Sequence, residues 1–195
     1  MADTITRRTI GQFKSQLAGG GARPNLFEVE LTNDAVKGGG DWDQERFSFL
    51  CKGASLPASN ISAIDVPFRG RIFKVAGDRT VDVWTVTIIN DEDFKFRNAL
   101  EGWMELIVQL GSNDGATSPN AYMSDAVVKQ LGRGEKPFSD SSSAGSTTQS
   151  VLKTYKFIDM FPTNISAIDL SYDSGDTIEE YTVEFAVNNF VINGQ

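Results

Sequence analysis

Histidine is absent from this sequence and cysteine occurs once, at Cys51. Without histidine a chain cannot build a Ser-His-Asp triad, a Cys-His pair or a histidine-containing zinc site, and one thiol cannot close an internal disulfide. Cations are also scarce, with Lys and Arg numbering 18 against 26 Asp and Glu for a formal net charge of −8. That balance disfavours a protein that grips nucleic acid, because phosphate binding is dominated by cationic contacts. No stretch approaches the roughly 18 apolar residues of a membrane span, and Met1 to Ile10 holds no run resembling a secretory signal. The chain is expected to be soluble, without membrane insertion and without a catalytic, metal or cofactor site. Paired carboxylates at glycosidase separation would be the remaining catalytic option. The acids are scattered along strand-like segments, however, and Asp91, Glu92 and Asp93 are accounted for as partners of a helix dipole.

What the chain does have is the material of one core. Its 195 residues are 40% hydrophobic and include 13 Phe, 3 Trp and 4 Tyr, enough for a single domain to offset its ordering entropy. Cys51 ends the apolar run Phe47-Ser48-Phe49-Leu50 and is expected as a small buried hydrophobe rather than a reactive thiol. Residues 1–25 carry Arg7, Arg8, Lys14 and Arg23 against Asp3 and pass through Gly19-Gly20-Gly21; they are a basic, flexible arm preceding a domain of residues 26–195.

Alternating apolar and charged residues predict a strand over Phe27 to Leu31, and Phe47 and Phe49 continue the same period. Val81 to Ile89 is β-branched and aromatic on both faces, as for a central strand covered on two sides. One helix is predicted from Asn90, as its N-cap, to Gly111, with Phe96, Leu100, Trp103, Ile107 and Leu110 on one stripe that should lie on a sheet. Tyr122 to Leu131 fits a strand or a short helix by pattern alone. A flexible loop covers about residues 132–150, where Ser139 to Ser150 is poor in anything to bury. Strands over Val151 to Phe161 and Thr177 to Val187 follow. The fold class is mainly β, an antiparallel sandwich or barrel with one flanking helix and an extended hairpin.

Asn60-Ile61-Ser62-Ala63-Ile64-Asp65 recurs unchanged as Asn164-Ile165-Ser166-Ala167-Ile168-Asp169. Further on, Trp84-Thr85-Val86 answers Tyr181-Thr182-Val183, which defines an internal repeat over about 47–96 and 151–192 and suggests pseudo-twofold symmetry. The first copy carries an inserted hairpin that its twin lacks. There Ile72, Phe73 and Val75 sit among Arg69, Arg71, Lys74 and Arg79, a basic strip with apolar anchors of the kind that binds something. Residues 157–195 contain seven acids and no Lys or Arg. A basic protrusion on an acidic body suits head-to-tail contact between copies, which yields rings when closed and filaments when stacked. A sandwich-type ligand-binding module would instead be a monomer.

Several segments together resemble one family: Leu56-Pro57, Pro67-Phe68-Arg69-Gly70-Arg71, Ala76-Gly77-Asp78-Arg79-Thr80, Trp84 to Glu92, Trp103-Met104 and Ile165 to Tyr172. Across about residues 25 to 192 the chain is similar to the tail tube proteins of contractile-tailed bacteriophages. The resemblance implies a structural virion protein, assembled in the host cytoplasm, whose hexameric rings stack into a hollow tube that conducts viral DNA during ejection. It implies tail sheath, baseplate and tape-measure proteins as partners, no enzymatic activity, and a strand for Tyr122 to Leu131. The hairpin, through Arg69, Arg71, Phe73, Lys74 and Arg79, and the arm, through Arg7 and Arg8, match segments that reach adjacent rings. Duplex DNA bears about one negative charge per 1.7 Å, so an acidic wall keeps it from sticking. Asp173, Asp176, Glu179 and Glu180 are the candidates for that wall. The tube of a secretion system or bacteriocin-like contractile injector shares the resemblance and is the alternative.

Overall fold

The structure is a computed structural model that describes residues 9–17, 21–31, 36–37, 42–133 and 150–193. Six strands form one antiparallel sheet: β1 (Phe27–Glu30), β2 (Cys51–Ala54), β5 (Trp84–Ile89), β6 (Ser124–Leu131), β7 (Val151–Ile165) and β8 (Glu180–Asn193). Their order across it is β1-β6-β7-β8-β5-β2. The intervening strands β3 (Ser59–Phe68) and β4 (Arg71–Val81) pair only with each other, as a separate two-stranded sheet. Four helices complete the described residues: α1 (Ile10–Gln16), α2 (Gln44–Leu50), α3 (Lys95–Ile107) and α4 (Pro119–Tyr122).

Period-two patterning explains the large sheet. Val29, Trp84, Val86, Ile88, Ala126, Val128, Tyr181, Val183 and Phe185 are buried, while their strand neighbours turn to the opposite face. The sheet curls into a nearly closed barrel, and α2 touches both of its edge strands, β1 and β2. A barrel that almost closes leaves two unpaired edges, and a helix laid across the gap shields them. Gln44 supports this by donating from Nε2 to the Val29 carbonyl at 3.3 Å. Each tryptophan ties an irregular segment to the core through its indole N–H: Trp42 to the Leu31 carbonyl at 2.6 Å, Trp84 to Ser55 at 2.9 Å and Trp103 to Tyr122 at 2.7 Å. Left unpaired, each buried donor would cost about 1–3 kcal/mol.

Several sequence expectations change. Phe47 and Phe49 lie on a helix, not a strand; Asp43 caps it by accepting from the Arg46 N–H, and Phe47 is buried while Phe49 is 79% exposed. Residues two apart share a face in a strand but point to opposite sides of a helix, which is why only Phe47 of the pair reaches the core. The long helix starts at Lys95 after Phe94, whose φ of 51° breaks the chain direction, and ends at Ile107 rather than near Gly111. Asn90 is not its cap; its side chain donates to Glu179 at 2.9 Å. Asp91 and Asp93 lie before the helix and hold Arg46, and Asp93 also accepts from the Lys95 N–H at the helix start at 3.2 Å. Phe96, Leu100 and Trp103 are buried as expected, but Leu110 is 95% exposed. β5 is the second strand from an edge, with Thr85 and Thr87 only half covered, so it is not a central strand covered on both faces. Tyr122 to Leu131 is a strand from Ser124 onward. Cys51 is buried, and its burial pushes the thiol pKa up to about 12. Within the stretch expected as a flexible arm, residues 10–16 form α1, closed by a Thr9–Gln12 capping box.

The internal repeat has a structural counterpart that its most conspicuous residues do not share. β5 and β8 pair antiparallel with Val86 opposite Val183, Trp84 opposite Phe185 and Ile88 opposite Tyr181. Since Val86 and Val183 occupy the same place in the two copies, a local twofold passes between them. The identical hexapeptides, in contrast, lie in different settings: the first lies within β3, and the second leaves β7 after Ile165 and runs into a loop.

Candidate assembly surfaces

Among the described residues, nothing covers the β3–β4 hairpin beyond its base. Arg69 and Gly70 form its two-residue turn with φ of 46° and 80°, the positive values that a tight hairpin turn matching strand twist requires. Near its base, a Cβ on Gly77 would lie 2.5 Å from the Ser62 hydroxyl, so only glycine fits the bulge that shifts register between Ile61 and Ala63. Pairing of Ile64 with Val75 and of Val66 with Phe73 puts an apolar ladder on one face. The other face carries Pro67 opposite Ile72, and Lys74 bonded to Asp65 at 3.2 Å. Phe68, Ile72 and Phe73 are 65%, 65% and 66% exposed. Their uncovered area makes the hairpin a candidate interaction surface.

The hairpin residues singled out from sequence are brought together, though not as one patch. Arg69 and Arg71 stand at the tip, Arg69 over the Phe68 ring at 5.3 Å, while Lys74 is on the shaft. Arg79 sits at the base, where it donates to the Ser59 hydroxyl at 2.7 Å and lies over the Phe190 ring at 5.4 Å. Arg7 and Arg8 lie outside the described residues, as does most of the Ser-rich loop.

A second surface is the loop of residues 166–179 that leads into β8. Asp173 and Asp176 are fully in it, exposed, beside Leu170, Tyr172 and Ile178 at 81%, 109% and 72% exposure. From sequence, Leu170 and Tyr172 stood out only within the family resemblance and Ile178 was expected in a strand from Thr177, which instead begins at Glu180. Their isolation among Ser, Asp and Gly was the available signal. Glu179 is held by Asn90, and Glu180 by Lys52 at 2.5 Å. The four acidic candidates therefore divide into a bonded pair and a pair without an ion-pair partner among the described residues.

The third surface is the face of the sheet turned away from the core. Lys129 lies between Glu28 and Glu30, Lys156 bonds Asp125 at 2.8 Å, and Lys52 bonds Glu180. Burial pulls the Lys129 pKa down, but the flanking Glu30 and Glu28 carboxylates outweigh it and the net shift is upward. Glu184, opposite Thr85, makes no ion pair among the described residues. Every lysine named on this face is matched by a carboxylate, and the surplus is acidic. On the helical flank, a groove of about 750 Å³ lined by Met104, Ile107, Val108, Leu110 and Pro162 is bordered by Glu101 and Glu105. Among the described residues no three His, Cys, Asp or Glu side chains group as metal ligands, and no helix is long and apolar enough to cross a membrane.

A curled six-stranded sheet with helices on one face and a projecting two-stranded hairpin is the fold of proteins from contractile injection machines. The chain superposes on the tube terminating cap of the anti-feeding prophage with a TM-score of 0.58 at 17% identity, covering 100% of this chain and 97% of that one. A chain of the anti-feeding prophage baseplate gives 0.57 at 10% identity, covering 89% and 96%. Sequence then narrows the class: the family described as phage tail tube protein matches residues 22–193, and the chain belongs to that family. It is 32% identical over 167 residues to the tail tube protein gp19 of Enterobacteria phage T4, spanning 86% of this chain and 89% of the relative, and equally similar to that of phage T6. The family is structural, and its members are components of the virion tail.

Proposed function

We propose that this tail tube subunit closes into hexameric rings that stack into a hollow tube, and that the tube conducts viral DNA during ejection. The observation that carries the reading is the hairpin Ser59–Val81, which exposes Ile61, Ile64, Val66, Phe68, Ile72, Phe73 and Val75 to solvent in the lone subunit. A subunit with this much uncovered apolar surface is built to be covered by copies of itself. Six-fold closure accords with the six-fold symmetrised assembly from which one chain of like fold comes. The open acidic face of the sheet, with Glu180 and Glu184, lines the bore and repels the phosphates. Sheath, baseplate and tape-measure proteins are the expected partners, and assembly takes place in the host cytoplasm before incorporation into the virion. The 32% identity to the phage proteins, against 17% and 10% to the injection-machine chains, favours the phage reading over that of a secretion or bacteriocin-like tube.

Electron microscopy of the purified chain tests the reading. Rings and tubes with six-fold symmetry are expected. Replacing Arg69, Arg71 and Lys74 with Glu should leave a folded subunit that makes no long tubes. Tubes of normal length from that variant would remove the hairpin from ring-to-ring contact.

A further inference from the structure

We propose that the acidic loop of residues 166–179 is the receptor for the hairpin tip of a second copy of this chain, placed end to end with the first. The proposal rests on the reading of the chain as a stacking subunit and names the two surfaces that meet. The chemistry of the two is complementary. The loop presents Leu170, Tyr172 and Ile178 with Asp169, Asp173 and Asp176, and the tip presents Phe68, Ile72 and Phe73 with Arg69 and Arg71. None of these three acids or two arginines has an ion-pair partner among the described residues. Apolar contact supplies the burial and the charges set register and partner choice.

The topology decides that the contact lies between copies. The hairpin enters β5 at Trp84, and the loop enters β8 at Glu180, which pairs with Ile89 at the far end of β5. Because β5 and β8 run antiparallel about a local twofold, the two insertions leave the sheet at opposite ends, about 17 Å apart along the strands. The hairpin continues away from the loop, since Arg79 at its base already stacks on Phe190, well beyond the end of β5. A subunit therefore cannot seat its hairpin on its own loop, but each can offer one end and accept at the other. Such a heterologous contact repeats without closing and so builds length. It assigns Asp173 and Asp176 to the junction between copies and leaves the bonded Glu180 to the bore wall.

The test uses the full chain in four forms: unchanged, Arg69→Glu with Arg71→Glu, Asp173→Arg with Asp176→Arg, and all four substitutions together. Each reversed pair should shorten tubes by at least about tenfold in micrographs at about 150 mM salt, and the quadruple form should restore them, because the charges again oppose. Wild-type tube length after acidic reversal, or a quadruple form no longer than either pair, would overturn the loop as receptor while leaving the tube reading intact. An unchanged chain that never stacks would overturn both. A second measurement stands even if a reversed variant fails to fold. Tubes carrying Ile72→Cys and Tyr172→Cys should give a ladder of covalent multimers on oxidation, and only monomer-sized chains from such tubes would overturn the contact. The native Cys51 is buried and does not compete.

Discussion

At two side chains, Cys51 and Tyr181, burial outweighs charge in setting the pKa. Burial raises the Cys51 thiol to about 12 and also raises the Tyr181 phenol, against a smaller opposing pull from Arg97. The unfolded chain ionises these groups near 9.0 and 10.0, their ordinary values, whereas the folded chain keeps them protonated to higher pH. Stability from both is thus complete below about pH 9 and is lost as pH rises toward the folded values. The raised Lys129 acts with the same sign, since its pairing with Glu30 and Glu28 disappears once the folded group deprotonates. Urea midpoints should be clearly lower at about pH 10 than at about pH 7, and Cys51→Val should make that fall shallower. An unchanged pH dependence in the variant would show that the thiol does not contribute. The burial of Cys51 was legible from sequence, because it closes the apolar run of Phe47, Phe49 and Leu50. The bonds of Asn90 and Asp91 were not, because their partners Glu179 and Arg46 are 89 and 45 residues away.

Among the elements, the hairpin and the body are separable. β3 and β4 pair with each other and meet the main sheet chiefly where β4 approaches β8. Gly70→Val places a branched side chain at a φ of 80°, at a cost of about 1–2 kcal/mol confined to the hairpin. The melting temperature of the body should stay within about 1 °C while amide exchange across residues 59–81 accelerates and tubes shorten. A matching loss of body stability would show that the hairpin folds as one unit with the sheet. The hairpin was visible in sequence as an insertion relative to its twin, with basic and apolar residues interleaved. Its true length was not, since β3 takes in the repeated hexapeptide. The first copy is strand throughout because it pairs with β4, whereas the second is strand only at Asn164 and Ile165, which pair with β8, and loop from Ser166 onward. Likewise the acids at 91 to 93 suggested a helix start, yet Phe94 at positive φ delays it to Lys95.

At the scale of the whole molecule, charge is arranged by position. A wall that conducts DNA must repel it, and Glu179→Lys with Glu180→Lys should leave tubes intact but slow ejection. Losing the exposed Lys52–Glu180 pair costs the fold about 1 kcal/mol or less and losing the Asn90–Glu179 hydrogen bond about 1–3 kcal/mol, so a melting curve that still shows a folded variant assigns slower ejection to the bore. Ejection at the unaltered rate from tubes carrying both substitutions would take these residues out of the wall. Salt should also weaken stacking between the basic and acidic ends, since exposed charges are screened over about 8–10 Å.

The amino acid sequence by itself determined the chemistry excluded by missing histidine, the dominance of strands, the aromatic stripe on α3 and the existence of one basic and one acidic segment. These are properties of composition and of short-range period, which side-chain geometry converts directly into structure. Only the tertiary structure decided that the two segments leave opposite ends of the sheet, that α2 bridges its two edges, and that half of the acidic candidates are already bonded. Those facts depend on which distant strands pair and in what register, and the antiparallel pairing of Val86 with Val183 is what places two insertions of one chain at opposite ends of the sheet.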